Sequence, residues 1–532
     1  MDQHDERKSV IPDFPTKTED TVPMSIKIET TTDFIPDGNP SAGASNLRSS
    51  LGISYTPYTP NSMFTRFAMT CDKFGIKDDV AAAMATAIMK DFGVKARGGR
   101  PAIVTKSKVH QWKLKCRQAV ISKRFDASTL LAFSFHIKKT DSITHLAVVK
   151  EPNSQLLGYI KLANEDAENK VNKINGFLTQ KKFLLDSLIG ICCDGEPTNT
   201  DASNGILRRF EIQLKRPLHW FVCLLHLNDL SFWHLFDYLK TSTRKRPGQL
   251  SKQIETCENI APVTNFVPIP LENVADLSVD ESSTDSNYLL KIAKAVSSGE
   301  VSKDLAEVKP GPIAHPRMIT TVSRLLRLYV TTDEPSNTLK TLVQYIMKVF
   351  VPMYFNVKCY NSVVYGSVLL YKFICWTQYL DLNLKQIVHN VITQNAYYAH
   401  PENILLTMLF DDRKETRDLA IQKILYYRKY VEEPLELRAY KIPSINFNCT
   451  DYTDMIDLND SSNLFEPPFT VNIPYEHLEQ YLEKPEPPLV NPMIPLHILE
   501  TERHVEFLAC GSKKVLDDNG QLESCEKLPK LE

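Results

Sequence analysis

The chain has 532 residues with 62 Lys/Arg, 64 Asp/Glu and 43% hydrophobic residues, enough for about three or four structural units with real cores. Its 18 glycines are roughly half the usual share, and neither GxGxxG nor GxxxxGKS/T occurs, which argues against a phosphate-cradling loop. Eleven scattered cysteines, never spaced CxxC, read as reduced thiols of a cytosolic or nuclear protein and argue against a disulfide framework or a zinc ribbon.

Residues 1–60 hold 7 Pro, 15 Ser/Thr and 9 acidic against 5 basic residues, and are predicted to be a disordered tail that buries too little surface to offset its ordering entropy. No apolar run follows the opening MDQHDERK, so no secretory signal is expected. Ile26-Lys27-Ile28-Glu29 has the form of a sumoylation acceptor. Residues 61–125 form a helical, basic region. It turns helical from Phe64 to Val94, with the alanine-rich run Val80–Met89 at its centre. Between Lys95 and Phe125 lie ten basic residues and no acid. Arg97, Arg100, Lys106, Lys108, Lys113, Lys115 and Arg117 lead that cluster and are the candidate phosphate contacts, because counterion release needs local positive charge. Arg97-Gly98-Gly99-Arg100-Pro101 is similar to an imperfect minor-groove AT-hook core.

Residues 126–240 switch to β periodicity. Leu130–Ile137 alternates Leu131, Phe133, Phe135 and Ile137 against Ala132, Ser134 and His136, the pattern of a half-buried strand. Ile143–Val149 and Leu156–Leu162 read likewise across turn-prone breaks. A helix from about Glu165 to Leu178 is predicted with Asn164 as its cap. Leu188–Cys193 is an uninterrupted apolar run, expected as a buried central strand, and ends at Asp194-Gly195-Glu196-Pro197. A short helix near Gly205–Leu214, a strand Leu218–Cys223 and a helix Leu224–Leu239 complete a β-β-β-α-β-α-β-α order, which describes a mixed sheet covered by helices.

Residues 241–284 read as a polar linker, with Arg244-Lys245-Arg246-Pro247 as a nuclear-import candidate. Residues 285–430 are predicted to be an all-α unit. Its clearest helix carries Leu339, Leu342, Val343, Ile346, Met347 and Phe350 behind the cap candidate Ser336. The apolar stretch Val363–Leu380 contains Lys372 and Gln378 and is too short and polar to span a bilayer. Residues 431–496 are Pro-rich and acidic. Residues 497–532 hold a last helix, from Leu496 to about Ala509, and a tail. Glu502 lies on that helix's apolar stripe with Ile498 and Val505, a costly place for an unpaired carboxylate. Cys223 and His226 share one turn, but no second ligand pair at zinc spacing accompanies them.

In combination these residues resemble the hAT-superfamily transposases. The resemblance is carried by the strand–helix order ending in Asp194, the Cys223–Asn228 segment, an all-helical insertion, Arg317 and Glu502-Arg503. Cys-Asp-Gly-Glu-Pro-Thr-Asn (193–199), Arg-Pro-Leu-His-Trp (216–220) and Ala-His-Pro-Glu-Asn-Ile-Leu-Leu (399–406) are similar to a transposase-derived group of animal proteins. The resemblance covers about residues 125–510. It implies an α/β RNase H-like core interrupted by the all-α insertion and completed by the last helix. It also implies a site where three carboxylates hold two Mg²⁺ or Mn²⁺ ions for strand cleavage and transfer, about 4 Å apart.

By resemblance Asp194 is the second carboxylate and Glu502 the third, with Cys223, His226 and Arg317 as family-motif positions. The first acid is missing from Leu130–Ile137. His136 stands in its place, and imidazole is a poor Mg²⁺ ligand; Asp126 and Asp141 flank the strand. Met318 replaces the family's tryptophan beside Arg317, the step from Asp194 to Asn199 is one residue longer than the family's usual Asp-to-Asn step, and no BED-type zinc finger precedes the core. The favoured expectation is a domesticated nuclear protein that binds DNA, protein partners or itself, needs no cofactor and has lost strand transfer. Two alternatives stand beside it: an active metal-dependent transposase or nuclease that borrows Asp126 or Asp141, and a pure protein-interaction scaffold, nuclear or cytoplasmic. Near neutrality does not exclude DNA, because the net charge of −2 sums a +10 cluster at 95–125 and a −12 tail at 431–532.

Overall fold

A computed structural model of the chain describes residues 64–483 apart from 74–75, 95–99, 101, 123–129, 141–142, 152–154, 163–165, 243–248, 258–265, 276–283, 309, 311–317, 361 and 431–439. The tail 1–60 with Lys27, the last helix with Glu502, and Arg97, Asp126, Asp141 and Arg317 therefore lie outside the described residues. The chain divides into two compact units at Ser122/Lys123.

The first unit packs α1 (Thr65–Lys73), α2 (Asp78–Asp91) and α3 (Lys106–Ser122) around Ala68, Cys71, Ala81, Ala82, Ala85, Met89, Val109, Trp112 and Cys116. The alanines of α2 have no bulk beyond Cβ, so the Trp112 ring fills the space that α3 brings to them. Thr86 accepts the Val104 N–H at 3.0 Å and donates to the Val104 carbonyl at 3.2 Å, which pins the segment before α3 onto α2. Lys113 is part of this core: it is buried, pairs with Asp78 at 2.8 Å and donates to the Ile76 carbonyl at 2.7 Å.

The second unit holds a mixed five-stranded sheet, ordered β3-β2-β1-β4-β5, formed by β1 (Ala132–Thr140), β2 (Ile143–Glu151), β3 (Gln155–Leu162), β4 (Gly190–Cys193) and β5 (His219–Val222). β1–β2 and β2–β3 are antiparallel, whereas β1–β4 and β4–β5 are parallel. All four residues of β4 and of β5 are buried, as an apolar run between crossover helices requires. At Gly158 the φ of +149° and the Phe177 ring, 2.9 Å from where a Cβ would stand, leave room only for glycine.

Three expectations are corrected here. β1 is not half-buried at its start: Ala132 and Ser134 are as enclosed as Phe133 and Phe135, because the strand is central and covered on both faces. The helix α4 (Ala167–Gln180) begins later than expected, and Asp166, not Asn164, caps it by accepting the Asn169 N–H. Residues 241–284 are not simply a linker, because they contain α8 (Gln249–Thr256), numbered after α5 (Pro197–Thr200), α6 (Ile206–Leu214) and α7 (Leu224–Ser242).

The helical part continues with α9 (Thr284–Ser298), α10 (Lys303–Glu307) and α11 (Met318–Val330), whose thirteen residues are all buried. Arg324 of α11 donates to the Ile254 and Glu255 carbonyls, and Arg327 to the Cys257 carbonyl at 3.1 Å and to Tyr288 Oη at 2.8 Å. These two guanidinium groups fasten α8 to the helices, since each buried donor needs an acceptor. Next come α12 (Asn337–Tyr345), capped by Ser336, a π-turn (Ile346–Phe350) and α13 (Val351–Cys359). They are followed by α14 (Ser362–Thr377), α15 (Leu382–Asn395), α16 (Pro401–Leu409) and α17 (Lys414–Tyr430). Among the described residues no helix is long and apolar enough to cross a membrane. The acidic, Pro-rich segment is not loose throughout. Residues 440–483 lay Tyr440, Tyr452, Met455, Leu464 and Leu478 into the core through irregular chain, short 3₁₀ turns and a one-turn helix, Tyr475–Leu478.

Candidate functional site

The end of β4 gathers polar groups from four elements. Asp194 follows the strand, and its Oδ1 accepts the Glu196 N–H at 3.1 Å and Asn199 Nδ2 at 2.6 Å. This Asx turn fixes the carboxylate at the sheet's C-terminal edge and starts α5, where Pro197 occupies the first turn. A Cβ on Gly195 would stand 3.0 Å from His226 Cδ2 and 3.2 Å from Asn395 Oδ1. Glycine is therefore what lets α7 and α15 close on this corner.

His226 lies in the first turn of α7. Burial pushes its pKa below the usual imidazole value, only partly offset by Asp194 and Glu196, so the ring is neutral at physiological pH. Cys223 donates its N–H to the Cys193 carbonyl at 2.9 Å. Burial pushes the Cys223 thiol up to about 12 and raises Cys193 well above its ordinary value, so both are protonated packing groups rather than nucleophiles.

His136 lies on β1, just beyond the residues of that strand that pair with β4. β1 pairs with β4 in parallel, Ser134 opposite Cys192. His136 lies two residues beyond Ser134 on β1, and Asp194 follows directly on the end of β4. Among the described residues no three His, Cys, Asp or Glu side chains come together to hold a metal ion. The described donors do not suit a two-Mg²⁺ site, which needs several hard oxygens.

The residues of the segments 216–220 and 399–406 serve the fold. His219 accepts the Phe469 N–H at Nε2 (3.1 Å), which leaves Nδ1 to donate to Asn403 Oδ1 (3.3 Å). Asn403 in turn donates to the Trp220 and Tyr397 carbonyls. The Tyr440 ring lies between Trp220 at 3.8 Å and His400 at 4.0 Å. The segments 216–220 and 399–406 are therefore two halves of one joint. Met318 opens α11 and is buried.

In the first unit, Arg100, Lys106 and Lys115 are exposed and Lys108 is half-exposed, while Arg117 lies on α3. Lys113 differs: its ammonium is committed to Asp78, so this expected phosphate contact is a core ion pair. Burial opposes ionisation of Asp78, but Lys113 and His110 outweigh it and hold the carboxyl below its usual range. Asn395 was absent from the sequence reading; it comes from α15, and no local pattern announces its approach to Gly195.

The sequence matches no protein-family model, and comparison with curated proteins gives no match.

Proposed function

We propose that this is a transposase-derived, DNA-associated nuclear protein on an RNase H-like scaffold that has lost strand transfer. The observation carrying this reading is the sheet itself. Three antiparallel strands followed by two parallel ones, in the order β3-β2-β1-β4-β5, with a carboxylate at the end of β4, is the arrangement expected of that scaffold. The level of β1 where a first acid belongs has His136. Among the described residues the donors at this corner do not suit two Mg²⁺ ions.

The DNA-binding part of the proposal rests on the first unit. Residues 64–122 carry twelve Lys/Arg against four Asp/Glu, and Lys108 and Lys115, two turns apart on α3, share a face. Each phosphate contact releases counterions, so affinity falls as salt rises.

The test is a titration of the purified full-length chain with duplex DNA across a salt series, with and without Mn²⁺. Binding whose log K falls linearly with log salt, without strand cleavage, is the expected result. Absence of binding at low salt would remove the DNA reading and leave a protein-interaction scaffold. Cleavage in Mn²⁺ would overturn the loss of activity.

A further inference from the structure

The helix α2 is apolar on two faces. Ala81, Ala82, Ala85 and Met89 enter the core of the first unit. On another face Val80, Met84 and Ile88 recur every four residues and are 48%, 44% and 48% exposed, with Phe92 beyond them at 64%. Ala83 and Ala87 beside them are exposed too. Solvated helix faces carry charge; here charge is confined to the ends. At 100° per residue, Lys77, Val80, Met84, Ile88 and Asp91 fall within an arc of about 80°. Lys77, at the N-cap, and Asp91, the last helical residue, are both exposed.

That order is a palindrome about Met84 with opposite charges at its two ends. Lys77 and Asp91 each lie seven residues from Met84, and Val80 and Ile88 each lie four. Two such helices packed antiparallel about a two-fold axis set Met84 against Met84, Val80 against Ile88 twice, and Lys77 against Asp91 twice. Packed in parallel they would set lysine against lysine and aspartate against aspartate. A face that matches itself in both shape class and charge fits an isologous interface.

We propose that α2 is a self-association surface, and that its partner is the α2 of a second copy of this chain in antiparallel, two-fold contact. The helix is only about 21 Å long, so the contact belongs to the small, transient class of interface. We set a dissociation constant on the order of micromolar as the affinity that the proposal requires. The proposal is independent of the DNA reading: it concerns α2 and would stand if the protein never met nucleic acid.

The test is sedimentation velocity of the full-length protein over a concentration series, with four variants. Met84→Glu buries a charge at the two-fold axis and is expected to give monomer at every concentration. Since Met84 is exposed, its circular dichroism should match that of the parent. Lys77→Asp and Asp91→Lys each turn both attractive end contacts into like-charge ones, and should weaken association by roughly fivefold to thirtyfold. Both changes favour the helix itself, because Asp is a better N-cap than Lys and a cation suits the last turn. Loss of association therefore cannot come from a melted α2. The double variant Lys77→Asp/Asp91→Lys should restore association to within about threefold of the parent. Parent protein that stays monomeric up to about 100 µM, roughly a hundredfold above a micromolar constant, would overturn the proposal. So would association untouched by Met84→Glu, or a double variant no better than the singles.

Discussion

Lys113 and Lys115 sit two residues apart in the same basic run, yet the structure assigns them opposite work, and replacing each by methionine separates the two roles. Lys113 is 6% exposed and its partner Asp78 21%. Removing one member of a buried ion pair costs about 3–5 kcal/mol. Asp78 keeps His110 at 3.0 Å and some access to water, so Lys113→Met is expected to destabilise the first unit by about 1.5–3 kcal/mol. Lys115→Met, on the exposed face, should change stability by less than about 0.5 kcal/mol. Its effect belongs to DNA, where loss of one phosphate contact lowers the slope of log K against log salt by about 0.9. Hydrogen exchange of peptides from α2 and α3 reads the first quantity without interference from the second unit. Under conditions where both variants are folded, the DNA titration reads the second. A Lys113→Met protein with parental exchange and a flattened salt slope would refute the assignment.

The same ion pair sets an acid limit. Asp78 is held below its usual range, so the pair's contribution is complete above the unfolded-state value of about 3.9. It is lost as pH falls through the lower folded value, and exchange of α2 at pH 5 and pH 3 in parent and Lys113→Met should show that loss only in the parent. His389 works in the opposite protonation sense. Burial, then the neighbouring Lys385, lowers its pKa to about 4, and its ring stacks on Phe447 at 3.9 Å. Between about pH 6.5 and pH 4 the unfolded chain takes up a proton that the folded ring refuses. Stability of the second unit therefore falls with acidification, and urea midpoints for His389→Gln should fall less steeply over that range. Gly366→Ala places a Cβ 2.1 Å from Tyr398 Cδ1, an overpacking of about 3 kcal/mol or more. A urea midpoint within error of the parent would count against that packing. Gly195→Ala should cost less, about 1 kcal/mol, and shift the His226 imidazole resonances in NMR, because the new methyl meets that ring.

Much of the sheet was legible in the sequence because its strands obey single-strand rules: period-2 alternation in β1 to β3, an unbroken apolar run in β4, and Asp-Gly or Pro-Asn punctuation between them. α8 was missed because it is eight residues long, with apolar positions only at Leu250, Ile254 and, just past its end, Cys257. Its place is fixed by Arg324 and Arg327, some seventy residues later. Lys113 was readable in hindsight by helix phase: it lies four residues after Val109 and three before Cys116, on the face that Trp112 also enters. Reading the run by charge alone hid that phase. Asn395 and the Trp220–Tyr440–His400 stack were not legible by any local rule, since they join segments far apart in the chain.

The two ring nitrogens of His219 set a timetable for synthesis. One waits for Asn403, and the other for the backbone of Phe469, 250 residues downstream. At about 5–20 residues per second, β5 spends roughly 12–50 s on the ribosome before the groups that satisfy it exist. During that interval the nascent sheet has an edge with an unmet imidazole and an uncovered Trp220, so it cannot reach its final state strand by strand. The first unit, complete by Ser122, has no such wait. The contacts of the first unit thus lie within residues synthesised early, whereas those that complete β5 wait until Phe469 has been made.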